Sequence, residues 1–344
     1  MLFLSYIKKK VLIVLHIYSA CDIIPVFYVF GKRQTMKKVF IDGSAGTTGL
    51  RIYERLSNRK DITLITLDEA HRKDTQSRKA ALNEADVAFL CLPDDAAREA
   101  VSLIENDTTV VLDTSTAHRT QEGWLYGFPE LSDSFFEKLP TARRIAVPGC
   151  HASGFIALVY PLVEAGIISK DILLSCHSVT GYSGGGKKMI AEYESDELPE
   201  LLGAPRQYAL GQTHKHIKEM SAITGIENAP IFSPIVSDFY SGMCVTVPLF
   251  ASQLSEGKTL EDIKSVYKAK YTGPVVTYCD SAEGGFLSAA ALSGKDAMHV
   301  YAYGYDDRII LTAVYDNLGK GASGAALECM NYVLGNDPTE GLEI

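Results

Sequence analysis

The chain has no Cys-x-x-Cys pair and no cysteine–histidine spacing of the kind that holds a metal, which sets aside zinc ribbons, fingers and dithiol redox centres. Its seven cysteines are an odd number in a chain of 344 residues, too long to depend on disulfides, so a reducing compartment is expected. Positive charge is in deficit: 33 Lys and Arg against 42 Asp and Glu give a formal net charge of -9. That balance argues against nucleic acid or an anionic membrane as a partner, and any phosphate must be held locally. The glycine-rich segment Thr180-Gly181-Tyr182-Ser183-Gly184-Gly185-Gly186-Lys187-Lys188 lacks the Walker spacing and reads as a substrate-facing loop, with a plain linker as its alternative.

Apolar runs behind a basic cluster are confined to the first 35 residues. Lys8-Lys9-Lys10 precedes an apolar stretch from Val11 to Ala20 and a second from Ile23 to Phe30, a pattern reminiscent of a leader or anchor. Asp22 and Pro25 interrupt it, and Met36-Lys37-Lys38 then opens a clean strand. Residues 1–35 are therefore expected to be an extension outside the fold, with no membrane role for the remainder. A chain of this length exceeds the size at which single cores stop growing, so two domains are expected.

From Met36 the order is strand, glycine turn, helix. Val39 to Ile41 is a short strand, Gly43-Ser44-Ala45-Gly46-Thr47-Thr48-Gly49 the turn, and Leu50 to Leu56 continues with helical periodicity. Glycines 43, 46 and 49 allow positive φ and close approach of the backbone to a pyrophosphate at the helix N-terminus, with the Ser44, Thr47 and Thr48 hydroxyls beside it. Further strands are expected at Ile62 to Leu67, Val87 to Leu92 and Val110 to Leu112, with an Asp cap after Pro93. The second strand ends at Asp68-Glu69, which suits a ribose 2′-OH, followed by His71-Arg72-Lys73, which suits a 2′-phosphate. Arg72 tilts the reading toward NADP. The fourth strand ends at Asp113-Thr114-Ser115-Thr116-Ala117-His118-Arg119, on the sheet edge where α/β folds bind ligands. Ser115 there is expected near the cofactor, and Arg119 is a candidate bidentate clamp for phosphate or carboxylate.

Val147-Pro148-Gly149-Cys150-His151-Ala152-Ser153-Gly154 breaks a β-branched run and opens the apolar segment Phe155 to Val163, so Cys150 should sit at a helix N-terminus. The dipole and free N–H groups there favour a thiolate over the usual thiol pKa of about 8.5. Past Cys150, Ile172 to Val179, Thr277 to Cys279, Val300 to Tyr303 and Ile309 to Val314 read as strands of a second, largely antiparallel sheet. In Gln212-Thr213-His214-Lys215-His216-Ile217-Lys218-Glu219-Met220, Thr213 is expected to cap a helix with His214 and His216 at its start. Histidines at i,i+2 do not face each other on a helix, so general acid/base work, by His214 in preference, is expected rather than metal binding. Asp316-Asn317-Leu318-Gly319-Lys320-Gly321 leads into a small-residue helix that can return to the first domain and close the cleft, with Asn317 and Lys320 near the nicotinamide end.

Taken in order, the GSAGTTG, DTSTAHR, VPGCHASG, THKHIKEM and DNLGKGASGAA segments resemble the short-type N-acetyl-gamma-glutamyl-phosphate reductases, within the semialdehyde dehydrogenase superfamily. The resemblance runs from Met36 to about Gly335. It implies an α/β fold: a Rossmann-type doubly wound parallel sheet over 36–149 and 318–344, and a second α+β domain, 150–317, with a mixed or antiparallel sheet. A second-domain sheet of this kind often supports a homo-oligomer, dimer or tetramer, and a thiolate enzyme using NADPH calls for a reducing compartment, the cytoplasm. By the same resemblance Cys150 matches the nucleophile, Gly43 to Gly49 the NADP turn, and Asn317 and Lys320 the cofactor-proximal motif. Lys215 stands where arginine is common, which puts a bidentate hold on substrate in doubt. The implied reaction is NADPH-dependent reduction of N-acetylglutamyl phosphate through a cysteine thioester, in arginine biosynthesis. Arg119, Ser183, Lys187 and His216 are then the candidates for holding substrate. The rivals are aspartate-semialdehyde dehydrogenase, which an acidic residue beside the substrate's amino group would favour, a non-catalytic NADP-binding redox sensor, and a cysteine hydrolase without nucleotide.

Overall fold

The computed structural model describes residues 36–344 except Leu198 and Asp306; the expectation for residues 1–35 lies outside the described residues. The amino-terminal half alternates strand and helix: β1 (Lys37–Asp42), α1 (Thr47–Leu56), β2 (Ile62–Ile65), α2 (Thr75–Glu84), β3 (Val87–Leu90), α3 (Asp94–Ser102), β4 (Val110–Asp113), β5 (Leu125–Tyr126), α4 (Asp133–Lys138) and β6 (Arg144–Ala146). Every strand pair in this sheet is parallel. The strands lie in the order β2-β1-β3-β4-β6-β5. After β2 the chain crosses to the other side of β1, so the switch point between β1 and β3 opens a crevice at their carboxyl ends. β3 and β4 are buried throughout, as strands covered on both faces must be.

The remainder comprises α5 (Cys150–Glu164), β7 (Ser175–Gly181), α6 (Gly186–Tyr193), β8 (Arg206–Gln207), α7 (Lys215–Thr224), β9 (Ile231–Ser237), β10 (Met243–Phe250), α8 (Leu260–Lys270), β11 (Val276–Tyr278), β12 (Met298–Tyr305), β13 (Arg308–Tyr315) and α9 (Gly324–Leu334). Seven strands form a second sheet in the order β11-β12-β13-β10-β7-β9-β8. It is mixed, because β7 pairs with β9 and β11 with β12 in parallel while the other pairs are antiparallel. One face of it meets α5, α7 and α8 in a core containing Phe155, Leu158, Met220, Phe232, Val245 and Tyr267. β9 and β10 were not foreseen; β10 alternates buried Met243, Val245, Val247 and Leu249 with more exposed partners, a period-two pattern masked by Pro248.

α9 packs on the first sheet, where Ala325, Ala326, Leu327 and Met330 join Val39, Ile52, Phe89 and Leu112 in one core. A π-helical turn, Gly319–Ser323, leads into it. Glycine is required there by packing: a Cβ on Gly319 would lie 2.0 Å from the Lys295 carbonyl oxygen, and one on Gly321 3.1 Å from Cys150 Cβ. The turn is thereby seated directly on the residue that opens α5.

Candidate active site

Gly43 holds the first βα turn in place with φ of 89°, and a Cβ there would come within 2.3 Å of the Cys91 carbonyl oxygen across the switch point. Gly49 is equally constrained, 2.4 Å from the Gly43 oxygen. α1 begins at Thr47 with Gly46 as its cap and no side chain satisfying its first N–H groups. Those donors and the helix dipole make a ready anion site. Beside the turn is a cavity of about 560 Å³ lined by Gly43, Ser44, Leu67, Arg72, Lys73 and Arg78 among others. The acidic residues weighed against Arg72 are occupied within their own loop: Asp68 accepts from the His71 N–H and ring, and Glu69 pairs with Arg72. Arg78 Nε donates to buried Asp42 at 3.0 Å, whereas its Nη2 has no aligned acceptor. A dinucleotide fits this cradle.

Cys150 is the first residue of α5, with Gly149 as cap. The Gly149 N–H donates to Glu219 Oε1 at 2.8 Å. Glu219 also accepts from Tyr126 Oη at 2.7 Å and from Arg119 Nη1 at 2.9 Å. A Cβ on Gly149 would be 2.2 Å from Arg119 Nη1, 2.5 Å from His216 Nε2 and 2.8 Å from Glu219 Oε2. Three functional groups thus converge on the residue before the nucleophile, and only glycine leaves them room. The expected low thiol pKa is corrected: burial pushes the Cys150 thiol up to about 11, against the Arg119 charge and the His151 and Cys150 N–H groups, which favour the thiolate. A helix N-terminus lowers a thiol pKa only where desolvation does not outweigh it.

Arg119 is likewise not a free clamp. Its Nε donates to the Val147 carbonyl, Nη2 to that of Thr114 and Nη1 to Glu219, all at 2.9 Å, so it fastens the thiol loop instead. Ser115 is turned to Asp113, its Oγ donating to Oδ2 at 2.8 Å; Asp113 also takes His118 Nδ1 at 2.6 Å, and His118 stacks on Trp124. Asp94 does not cap α3, where Pro93 stands at the cap. Its carboxylate binds Thr116 and, at 3.0 Å, Lys215 Nζ.

The substrate side is a pocket of about 270 Å³ lined by Cys150, His151, Thr180, Gly181, Gly184, Gly185, Met189, Tyr208, His214, Lys215, His216 and Val236. His214, not Thr213, caps α7, its Nδ1 accepting from the His216 N–H at 3.2 Å. That bond holds the neutral imidazole's proton on Nε2. Burial lowers the pKa of His214, and that of His216 much further, with Arg119 adding to the fall at His216. Ser183 is buried and accepts from Asn317 Nδ2 at 3.0 Å, while Asn317 Oδ1 takes the Gly242 N–H at 2.8 Å. Lys187 is exposed at the start of α6 and is not part of the lining. The glycine loop beside this pocket touches the dinucleotide turn, where a Cβ on Gly186 would sit 4.0 Å from Thr47 Oγ1.

Lys320 departs furthest from expectation. Its ammonium is buried between Glu130, at 2.7 Å, and Glu328, at 2.5 Å, and lies 4.7 Å from the Phe128 ring centroid. It anchors the turn seated on Cys150 and is spent on that task. Sequence reasoning also passed over His151, Tyr208 and Glu219. His151 Nδ1 is 2.6 Å from Ser178 Oγ and its Nε2 2.6 Å from Tyr208 Oη; its place directly after the nucleophile was the available signal.

Two linked folds, the first carrying a glycine cradle and the second a cysteine that opens a helix among histidines, define a dinucleotide-dependent oxidoreductase of the semialdehyde dehydrogenase class. The family described as "Semialdehyde dehydrogenase, NAD binding domain" matches residues 38–138, and "Semialdehyde dehydrogenase, dimerisation domain" matches 150–317. Among solved structures, the fold is similar to aspartate semialdehyde dehydrogenase II of Vibrio cholerae complexed with ASA (TM-score 0.65, 15% identity, 88% of this chain and 99% of that one). It is similar also to the aspartate semialdehyde dehydrogenase with NADP from Candida albicans (TM-score 0.61, 15% identity, 88% and 99%). In sequence the chain is 44% identical over 305 residues to the N-acetyl-gamma-glutamyl-phosphate reductase of Rhizobium etli, covering 86% of this chain and 98% of that one. It is 45% identical over 306 residues to that of Brucella ovis (87% and 99%) and 43% over 312 to N-acetyl-gamma-glutamyl-phosphate reductase 2 of a Nostoc species (87% and 97%). The chain belongs to the N-acetyl-gamma-glutamyl-phosphate reductase family.

Proposed function

We propose that this enzyme reduces N-acetyl-L-glutamyl 5-phosphate to N-acetyl-L-glutamate 5-semialdehyde and phosphate with NADPH, a step of arginine biosynthesis. The observation that carries the substrate choice over the aspartyl rival is the pocket lining, which contains no Asp or Glu. A free ammonium would meet no carboxylate in that lining, the neighbouring Glu219 being already paired with Arg119, whereas a neutral acetamido group needs none.

Ser44, the first-turn N–H groups with Thr47 and Thr48, and the Arg72–Lys73 side of the cavity would hold NADP, the cations taking the 2′-phosphate. When bound, the nicotinamide supplies hydride to the acyl carbon. Cys150 attacks the acyl carbon, its S–C bond forming as the C–O bond to phosphate breaks. Because resting His214 carries its proton on Nε2, it acts as a hydrogen-bond donor to the departing phosphate. His216, uncharged and set against Gly149, takes the thiol proton and returns it to the phosphate. This exchanges the parts first assigned to the two histidines. The α5 N-terminus then steadies the Cys150 sulfur when the thioester is reduced and aldehyde leaves. Lys215, paired with Asp94 at the rim, guards the entrance as a point charge.

The opposite face of the second sheet carries exposed Phe250, Ile310 and Tyr305 beside Tyr303, a surface suited to a second copy of the chain and hence to a homodimer or a tetramer built from it. No helix among the described residues is long and apolar enough to cross a membrane, and the cysteines described are all free; with NADPH as reductant, the cytoplasm is the matching compartment. The test is the reverse reaction of the full chain with NADP and phosphate. Phosphate-dependent NADPH formation from N-acetylglutamate semialdehyde and not from aspartate semialdehyde is expected. The opposite preference would overturn the substrate assignment, and NADPH binding without turnover of either would favour the redox-sensor alternative.

A further inference from the structure

We propose that Tyr208 donates its hydroxyl hydrogen to the reacting acyl oxygen, and that buried His151 and Ser178 behind it keep that hydrogen free for the purpose. The inference rests on the acyl-phosphate reading of the same pocket. Tyr208 follows β8, its backbone fixed by an N–H bond to the Pro234 carbonyl at 3.0 Å. Its phenol lines the pocket beside Cys150, and a charge on that sulfur is felt at the hydroxyl.

The direction of the chain of hydrogen bonds is decided by counting hydrogens. His151 is 3% exposed and Ser178 fully buried, and burial holds the His151 pKa down to about 3. A neutral imidazole has one N–H, so of its two 2.6 Å contacts it donates one and accepts the other. If Nδ1 donated to Ser178, the serine's own hydrogen would have no acceptor among the described residues, and Tyr208 would spend its hydrogen on Nε2. If Ser178 donates to Nδ1, then Nε2–H donates to the Tyr208 oxygen, every buried donor is matched, and the phenolic hydrogen is unengaged. A buried hydroxyl without an acceptor is disfavoured by roughly tenfold or more, so the second arrangement holds. A tyrosine fixed in this way at the wall of a pocket containing the nucleophile is a preorganised oxyanion donor.

His151 consequently does two things from one position: its backbone N–H favours charge on the Cys150 sulfur, and its ring orients the donor to the carbon that sulfur attacks. Ser178 and the His151 ring are positioning residues; Tyr208 is the catalytic one.

The test combines kinetics with a direct reading of the tautomer. Tyr208→Phe should lower kcat by about 10²-fold while KM and NADPH affinity stay within a few-fold. Ser178→Ala should reproduce part of that loss, and Ser178→Thr, which keeps a hydroxyl, should restore it. ¹⁵N-histidine spectra of the full chain, with His151 assigned by its disappearance in His151→Phe, should show a neutral ring protonated on Nε2 that does not titrate between about pH 5 and 9. A ring protonated on Nδ1, or a Tyr208→Phe enzyme with raised KM and unchanged kcat, would overturn the proposal. Failure of the unmodified enzyme to turn over the acyl phosphate would overturn the reaction assignment instead, with the tautomer still read independently.

Discussion

Replacing Glu219 by Gln separates two consequences of one carboxylate, because Glu219 both neutralises a buried arginine and opposes the charge of the nucleophile. Arg119 is 8% exposed and Glu219 2%, and their contact is 2.9 Å. Removing one partner of such a pair leaves an uncompensated buried charge, which costs about 3–5 kcal/mol. Glutamine keeps an oxygen for Tyr126 and Gly149, so the lower end, about 3 kcal/mol, is expected. For a domain of this size that corresponds to a Tm lower by about 6 °C. The thiol should respond in the opposite sense: burial and then the Glu219 charge hold the Cys150 pKa up, while Arg119 lowers it. Alkylation of Cys150 by iodoacetamide at pH 8 should therefore be about tenfold faster in Glu219→Gln, since each unit of pKa is tenfold in thiolate below the pKa. Arg119→Met should slow it, and the double variant should lose less stability than the two single losses added. Calorimetry and timed alkylation with mass readout check both effects. An unchanged Tm, or slower alkylation in Glu219→Gln, would refute the reasoning.

In the free enzyme, alkylation of Cys150 should keep rising with pH through 9 without a plateau, because the thiol sits at about 11; a plateau near neutrality in stopped-flow alkylation would restore the poised thiolate. Gly43→Ala places a Cβ 2.3 Å from the Cys91 carbonyl oxygen at φ of 89°, and NADPH affinity measured by fluorescence titration should fall at least 100-fold with the second sheet's core intact. Lys320→Met should cost about 3–5 kcal/mol, since it leaves Glu130 and Glu328 facing each other without their cation. Burial raises the Glu328 pKa, so the folded state holds a proton that the unfolded state gives up, and stability falls as pH rises from the ordinary carboxylate range toward the raised value. Glu328→Gln should accordingly gain in Tm on the native enzyme at pH 8.5 compared with pH 5.5; a constant difference would contradict the shift.

The elements that could be read from the chain are those whose cause is local. Gly43 to Gly49 between a strand and a helix, Pro148-Gly149 before Cys150, and the small residues of α9 carry their geometry in their own spacing, and each stands where the sequence put it. The misassigned charged side chains share another cause: their partners are far away in sequence. Arg119 reads as an available clamp until Glu219, 100 residues on, takes its Nη1. Lys320 reads as a cofactor ligand until Glu130, 190 residues earlier, is found against it. Desolvation is equally invisible in one dimension, which is why a thiol at a helix N-terminus was expected to be acidic and His151 was passed over. The cap on α7 was misplaced by one residue because an imidazole nitrogen can fill the role usually given to a hydroxyl.

The proposed reaction requires the acyl group to reach Cys150. The measurement is intact-protein and peptide mass spectrometry after brief mixing of the full chain with N-acetylglutamyl phosphate and no reductant, with released phosphate counted alongside. One acyl group per chain on the Cys150 peptide is expected, with one phosphate released alongside it, loss of the acyl group as aldehyde on adding NADPH, and neither acyl group nor phosphate in Cys150→Ser. Phosphate release or aldehyde formation with Cys150 unmodified, or undiminished in Cys150→Ser, would contradict it.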